Sequence, residues 1–170
     1  MGKYRKSCID ILGNKWNYNC MGCSVSAGEI ELPGGLIYNG NFVFLGQDPE
    51  VPIPGFLIVN VRRHVRSFSE LSKEERIEIG NVIACAENAL KTLGTIDNFT
   101  LVQEERSQHL HIWIFPNYTW MNEKFGKGIT YLRDINDYCC SNMTQENVDE
   151  VLEVVPKVKK YFKEHYKEYI

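Results

Sequence analysis

The sequence predicts an α+β fold, an antiparallel sheet of about five strands accompanied by helices. Three observations lead there. Short apolar runs bounded by glycine, proline and asparagine recur at 36–45, 56–61 and 99–115, several close enough in sequence to fold back as hairpins. Two longer stretches, 72–94 and 144–169, carry apolar residues at helical spacing. Between them, Gln108-His109-Leu110-His111-Ile112-Trp113-Ile114-Phe115-Pro116 alternates with period two, the mark of a strand with one face on a core and the other exposed for work.

The elements follow in order. Residues 1–19 carry little pattern, and Cys20-Met21-Gly22-Cys23 comes next as a CxxC. Residues 29–35 read as a loop ending in Pro33-Gly34-Gly35. Leu36–Tyr38 and Asn41–Leu45 flank an Asn39-Gly40 pair, a strong hairpin signal. A loop stiffened by Pro49, Pro52 and Pro54 leads to Phe56–Val61, a near-continuous apolar strand that runs into Arg62-Arg63-His64. Ser72 with Glu75 forms a capping box. Ile79, Ile83, Ala86, Leu90 and Leu93 continue it as a helical stripe to a stop at Gly94, with Cys85 a small packing residue inside. Phe99–Glu104 is a strand joined by Glu105-Arg106 to the histidine strand as an antiparallel hairpin. Residues 117–127 look irregular, 129–138 a short helix, and Thr144 caps a last helix through about Tyr169 that Pro156 is expected to kink or split.

The bulk numbers bound the function. With 170 residues the chain is expected to form a single domain, 1–170. Its 24% charged and 44% hydrophobic residues are those of an ordinary globular protein, and a net charge of −3 supplies no overall basic field, so no nucleic-acid partner is expected. The basic start, Met1 to Lys6, lacks the apolar run of a signal peptide, and Lys6 does not fit a myristoylation signal after Gly2. No apolar stretch approaches the roughly 20 residues that span a bilayer, so no membrane association is expected. Cys8, Cys20, Cys23, Cys85, Cys139 and Cys140 then read as thiols or metal ligands in a reducing compartment, and the expected location is cytoplasmic.

Two kinds of chemistry can be drawn from these residues. A CxxC lets two thiolates converge on one ion and favours zinc, which needs two further ligands from His64, His109, His111 and His165. His64 ends a buried strand, whereas His165 sits among charged residues of the last helix. Separately, a neutral histidine held on one ring nitrogen can attack phosphorus with the other.

His109-Leu110-His111-Ile112-Trp113-Ile114-Phe115-Pro116 resembles the signature of the histidine-triad (HIT) family, three histidines alternating with apolar residues and often followed by proline. The resemblance extends upstream through the hairpin, Gln47-Asp48-Pro49, Pro54–Val59, Arg62-Arg63-His64-Val65 and the Ser72 helix. It covers about residues 20–116, leaving a C-terminal helical extension, about 129–169, unexplained. It implies a HIT-like fold with helices packed on one side of the sheet, and a nucleotide hydrolase that cleaves a nucleoside phosphate ester, anhydride or phosphoramidate through a nucleotidyl-His111 intermediate. A nucleotidyltransferase or phosphorylase, or a non-catalytic nucleotide-binding protein, are the alternatives. The position of Pro116, five residues beyond His111, supports His111 as the middle histidine; the rival register would make His109 the nucleophile with Ser107 in first position.

In the zinc-containing branch, which includes galactose-1-phosphate uridylyltransferases, the resemblance implies a structural zinc on Cys20, Cys23, His64 and His109. It also implies a ribose-gripping carboxylate at Asp48 and a homodimer. Gln103, Ser107 and Trp113 are the further substrate-binding candidates, with Glu104, Arg106 and Gln108 nearby. The departure from the family pattern is Trp113 in the third histidine's place, where an indole offers one donor and no acceptor.

Overall fold

The structure, a computed structural model, describes residues 6–94, 96, 98–104 and 107–170; the Glu105-Arg106 link lies outside the described residues. Among these, β3 (Tyr38–Asn39), β4 (Val43–Gln47), β5 (Leu57–Val61), β7 (His111–Asn117) and β6 (Asn98–Gln103) form a five-stranded antiparallel sheet in that spatial order. The Asn39-Gly40 turn joins β3 to β4, with the Gly40 amide donating to the Val43 carbonyl.

Register decides which side chains share a face, because directly opposed residues of antiparallel strands point the same way. Val43, Leu45, Val59, Val61, Ile112 and Ile114 face a layer made by α2 (Lys73–Lys91) and α5 (Gln145–His165). The two long helices thus pack on one side of the sheet, as expected. α2 starts with the Ser72–Glu75 capping box, and Ile79, Val82, Cys85, Ala86, Ala89 and Leu90 are buried along it. α5 is capped by Thr144 and buries Val148, Val151, Val155, Val158 and Phe162. Pro156 neither splits α5 nor ends it. It sits on the exposed side of the helix, where water can take the carbonyl left without an amide.

The opposite face carries His111 and is partly roofed. Val25, Ile30, Leu32 and Phe44 form a small cluster over its β4 end, and Phe56, Trp113, Phe115, Met121, Leu132 and Ile135 another towards β6. The second cluster corrects the irregular reading of 117–127: Thr119–Phe125 is a helix (α3), followed by α4 (Leu132–Ser141), and their apolar sides close on Trp113 and Phe115.

The N-terminal stretch that carries little pattern also has structure. β1 (Ser7–Ile9) and β2 (Lys15–Asn17) pair as a hairpin around buried Asp10, whose carboxylate accepts from the Leu12 and Asn14 amides, Asn14 Nδ2 and Trp16 Nε1. Four donors replace the hydrogen bonds that a buried carboxyl group gives up from water. No helix among the described residues is long and apolar enough to cross a membrane.

Candidate functional site

Four of the expected residues converge at the start of a short helix. Met21–Ser26 is a short helix (α1), and Cys20 stands at its N-cap position with Cys23 three residues on. That spacing puts both thiols on one side of the first turn. His64 reaches the same point from the segment after β5, and His109 from just before β7. One ligand atom from each of Cys20, Cys23, His64 and His109 lies within 4.8 Å of all the others. His109 Nδ1 is 3.3 Å from Cys20 Sγ and 3.5 Å from Cys23 Sγ, and His64 Nδ1 is 3.3 Å from Cys23 Sγ. A tetrahedral zinc with ordinary bond lengths spaces its sulfur and nitrogen ligands by about 3.5 Å, so the cluster has the dimensions of such a site.

Two further observations fit a metal. His109 is 2% exposed, and its Nε2 lies 2.5 Å from the Val61 carbonyl. A carbonyl only accepts, so Nε2 carries the proton and Nδ1 turns its lone pair to the thiols, as an imidazole ligand must. Burial holds the His109 pKa below its ordinary value against the opposing effect of that carbonyl, which keeps the ring neutral. Gly22 is what lets the ring in: a Cβ there would stand 2.7–2.9 Å from three His109 ring atoms. The fourth histidine, His165, is elsewhere, beside Glu168 on α5.

His111 begins β7, opposite Asn60 of β5. Its Nδ1 is 3.0 Å from the His109 carbonyl and donates to it, so in the neutral form of this half-buried ring Nε2 is the nitrogen that carries the lone pair. One residue, His109, therefore turns its ring to the thiols and its carbonyl to His111.

The cross-sheet rows sort the remaining candidates. Phe44, Asn60 and His111 form one row; Gly46, Ile58, Trp113 and Val102 form the next. Trp113 is on the His111 face but 9% exposed. Its ring meets Phe56 edge-on at 5.3 Å, lies 6.4 Å from the His111 ring, and has the Arg133 guanidinium 5.8 Å from its centre. It serves as a wall. Gln103 is not brought to the site: it pairs with Ile112 and so shares the helix-facing side. Glu104, one rung further, takes the His111 face. Ser107 turns inward, its hydroxyl accepting from the His109 amide and donating to the His109 carbonyl. Asp48 is buried at the end of β4, and its Oδ1 accepts from the Glu50 and Val51 amides, which shapes the proline-rich loop.

Asn60 is the residue that sequence reasoning missed. Its signal was present, a lone polar side chain in the apolar run Phe56–Val61, but only the register places it beside His111. The link between Arg133 and Glu104, 2.7 Å, was not legible at all.

No protein-family model and no curated protein sequence matches the chain. Solved structures do. A Hit-like protein involved in cell-cycle regulation from Bartonella henselae aligns over 86% of this chain and 98% of its own, with a TM-score of 0.59 and 19% identity. A zinc-bound histidine triad family protein from Mycobacterium smegmatis aligns over 84% and 96%, with a TM-score of 0.56 and 13% identity. A HIT family protein from Bacillus anthracis aligns over 81% and 95%, with a TM-score of 0.55 and 22% identity. The fold is that of the histidine-triad proteins.

Proposed function

We propose that this chain, built on the histidine-triad fold, is a nucleotide-processing enzyme in which His111 forms a covalent nucleotidyl intermediate, with a structural zinc held by Cys20, Cys23, His64 and His109. The observation that carries the reading is the His111 ring, fixed on Nδ1 by the His109 carbonyl, so that Nε2 is the nitrogen that can attack. A bound zinc would lock the conformation of His109 and so the carbonyl that orients the nucleophile.

In the first step the Nε2 lone pair of His111 attacks the α-phosphorus of a nucleoside phosphate ester, anhydride or phosphoramidate. A P–N bond forms, and the bond to the leaving group breaks with its electron pair. In the second step water attacks phosphorus from the opposite side, the P–N bond breaks, the water proton passes to solvent, and a nucleoside monophosphate leaves. Attack by a phosphate instead of water would make the enzyme a transferase or phosphorylase. The transition state spreads negative charge over the phosphoryl oxygens and is stabilised by fixed donors. The Asn60 amide beside His111 is the nearest candidate. Trp113 bounds the site by its ring, and Asp48, on the His111 face by strand alternation, is assigned to the ribose hydroxyls on the family resemblance. Ser107 acts through the His109 backbone, and Gln103 takes no part.

The resemblance further supports a homodimer, checked by light scattering, and six free cysteines suit a reducing compartment such as the cytoplasm. The decisive test is to quench reactions with dinucleoside polyphosphates, nucleotide sugars and nucleoside phosphoramidates and map any adduct by mass spectrometry. A nucleotidyl group on His111, with His111→Ala losing turnover by orders of magnitude while still binding nucleotide, is expected. An adduct on His109, or none with any substrate, overturns the assignment.

A further inference from the structure

The histidine-triad signature places a third imidazole where this chain has Trp113, an indole with no charge to offer. Yet the His111 face is not without a cation. Arg133, in the first turn of α4, extends over Trp113 with its guanidinium carbon 5.8 Å from the ring centre. The same guanidinium is held on its other side by Glu104, at 2.7 Å from Nη2 to Oε1. Glu104 directly follows Gln103, the last residue of β6, whose partner is Ile112, so alternation turns it towards the His111 face. The indole is in turn 6.4 Å, ring centre to ring centre, from His111. Arg133 and His111 are therefore both neighbours of one indole ring, and the arginine is held there by a carboxylate and a π-face together.

An arginine so placed has a recognisable chemistry. Its guanidinium is planar, always charged and carries five donors, of which a carboxylate engages only part; phosphoryl oxygens are its other favoured acceptor. Its side chain is 46% exposed, so a ligand can reach it, whereas Glu104 at 17% is largely covered. A surface ion pair of this kind contributes little to stability by itself. The segment that delivers it, α3 and α4, also closes over Phe56, Trp113 and Phe115.

We propose that Arg133 is a substrate-binding residue that contacts the phosphate oxygens of the nucleotide at His111, so that the C-terminal segment supplies from α4 the positive charge that Trp113 cannot. Glu104 is the positioning residue that aims it, and Trp113 is the platform on which it lies. The inference rests on the proposed nucleotide function. It extends that function by giving the α3–α4 segment a part in phosphate recognition.

The test separates the two. Binding of the four nucleoside 5′-monophosphates and of the corresponding nucleosides is measured by calorimetry for the wild-type chain, Arg133→Gln and Arg133→Lys. Wild type is expected to bind at least one monophosphate more tightly than its nucleoside. Arg133→Gln should reduce that preference roughly tenfold, the lower end for a charge-assisted hydrogen bond at a half-exposed position, with nucleoside affinity unchanged. Arg133→Lys should restore part of it. A preference unchanged in Arg133→Gln overturns this inference and leaves the function standing. An equal loss for nucleoside and nucleotide also overturns it, because that is the mark of a purely structural ion pair. Wild type binding no nucleotide at all overturns both.

Discussion

Replacing Gly22 with alanine is the sharpest perturbation of the metal cluster, because it leaves every ligand in place. Alanine suits a helix better than glycine, and Gly22 has no positive φ, so local preference alone predicts stabilisation. The His109 ring reverses the sign. A Cβ at position 22 would lie 2.7, 2.8 and 2.9 Å from three of its ring atoms. Relief requires the ring or α1 to move by several tenths of an ångström. The ring is held at one edge by the Val61 carbonyl, 2.5 Å from Nε2, and at the other by the thiols that converge on Nδ1. Overpacking of this kind costs about 1–3 kcal/mol. Charged to metal binding, that is a loss of roughly 5- to 150-fold in affinity at 1.4 kcal/mol per decade. Competition against a chromophoric chelator, alongside thermal melts with and without metal, measures both. Turnover should fall as well, because the His109 carbonyl that orients His111 moves with the ring. A Gly22→Ala chain that takes up zinc within twofold of wild type, and melts no lower, would refute the reasoning.

Gly80→Ala is the matched control: it lies exposed within α2, where a Cβ would meet nothing within 4 Å, and should stabilise by about 0.5–1 kcal/mol, visible as a melting temperature higher by roughly 1–4 °C. Burial and the neighbouring Cys20 thiol push the Cys23 thiol up to about 11, so metal uptake displaces thiol protons. Apparent zinc affinity should therefore rise between pH 6 and 7.5, by about tenfold per unit for each proton released, and chelation at neutral pH should lower the melting temperature. A pH-independent affinity would contradict this. Glu75 is held below its ordinary pKa of 4.5, chiefly by hydrogen bonds from Arg63, against the opposing effect of its burial. Its stabilisation is therefore present above that pH and lost as pH falls through the lowered value; Glu75→Gln should cost about 1–2 kcal/mol at pH 7 and converge with wild type in acid melts taken below the lowered value.

The parts of the fold that could be read from sequence are those written in periodicity or turn chemistry. Alternation around His111, the Asn39-Gly40 turn and the Ser72–Glu75 box all report structure fixed within a few residues. The Asp10 hairpin escaped because its three-residue strands are too short to show a period, and what organises it is one carboxylate with four donors. α3 escaped because its buried side, Met121, is completed by Leu132 and Ile135 from outside its own span. At the candidate site, the convergence of Cys20, Cys23, His64 and His109 was legible from residue type and spacing, but the facing of the β6 residues was not. Whether Gln103 or Glu104 shares the face of His111 depends on the register of β6 with β7, which no local pattern records. The partner of Trp113 comes from a helix some twenty residues on, and only the folded chain brings Arg133 to it.

The Asp10 hairpin has one more consequence, for the order in which the chain is assembled. Ile11, at its tip, donates its amide to the Pro49 carbonyl in the loop that Asp48 shapes, and its side chain packs with Val148 and Val151 of α5. The tip of the hairpin thus finds its apolar partners more than a hundred residues later, whereas Trp16 of β2 packs nearer, on the Val25–Phe44 cluster. Such long-range closure is slow, and during synthesis the hairpin tip must stay without its α5 contacts until that helix has left the ribosome. Folding intermediates of this protein should carry a formed sheet centre with an N-terminal segment that amide exchange finds open. The Asp48 loop should be among the last parts of the molecule to acquire its native shape.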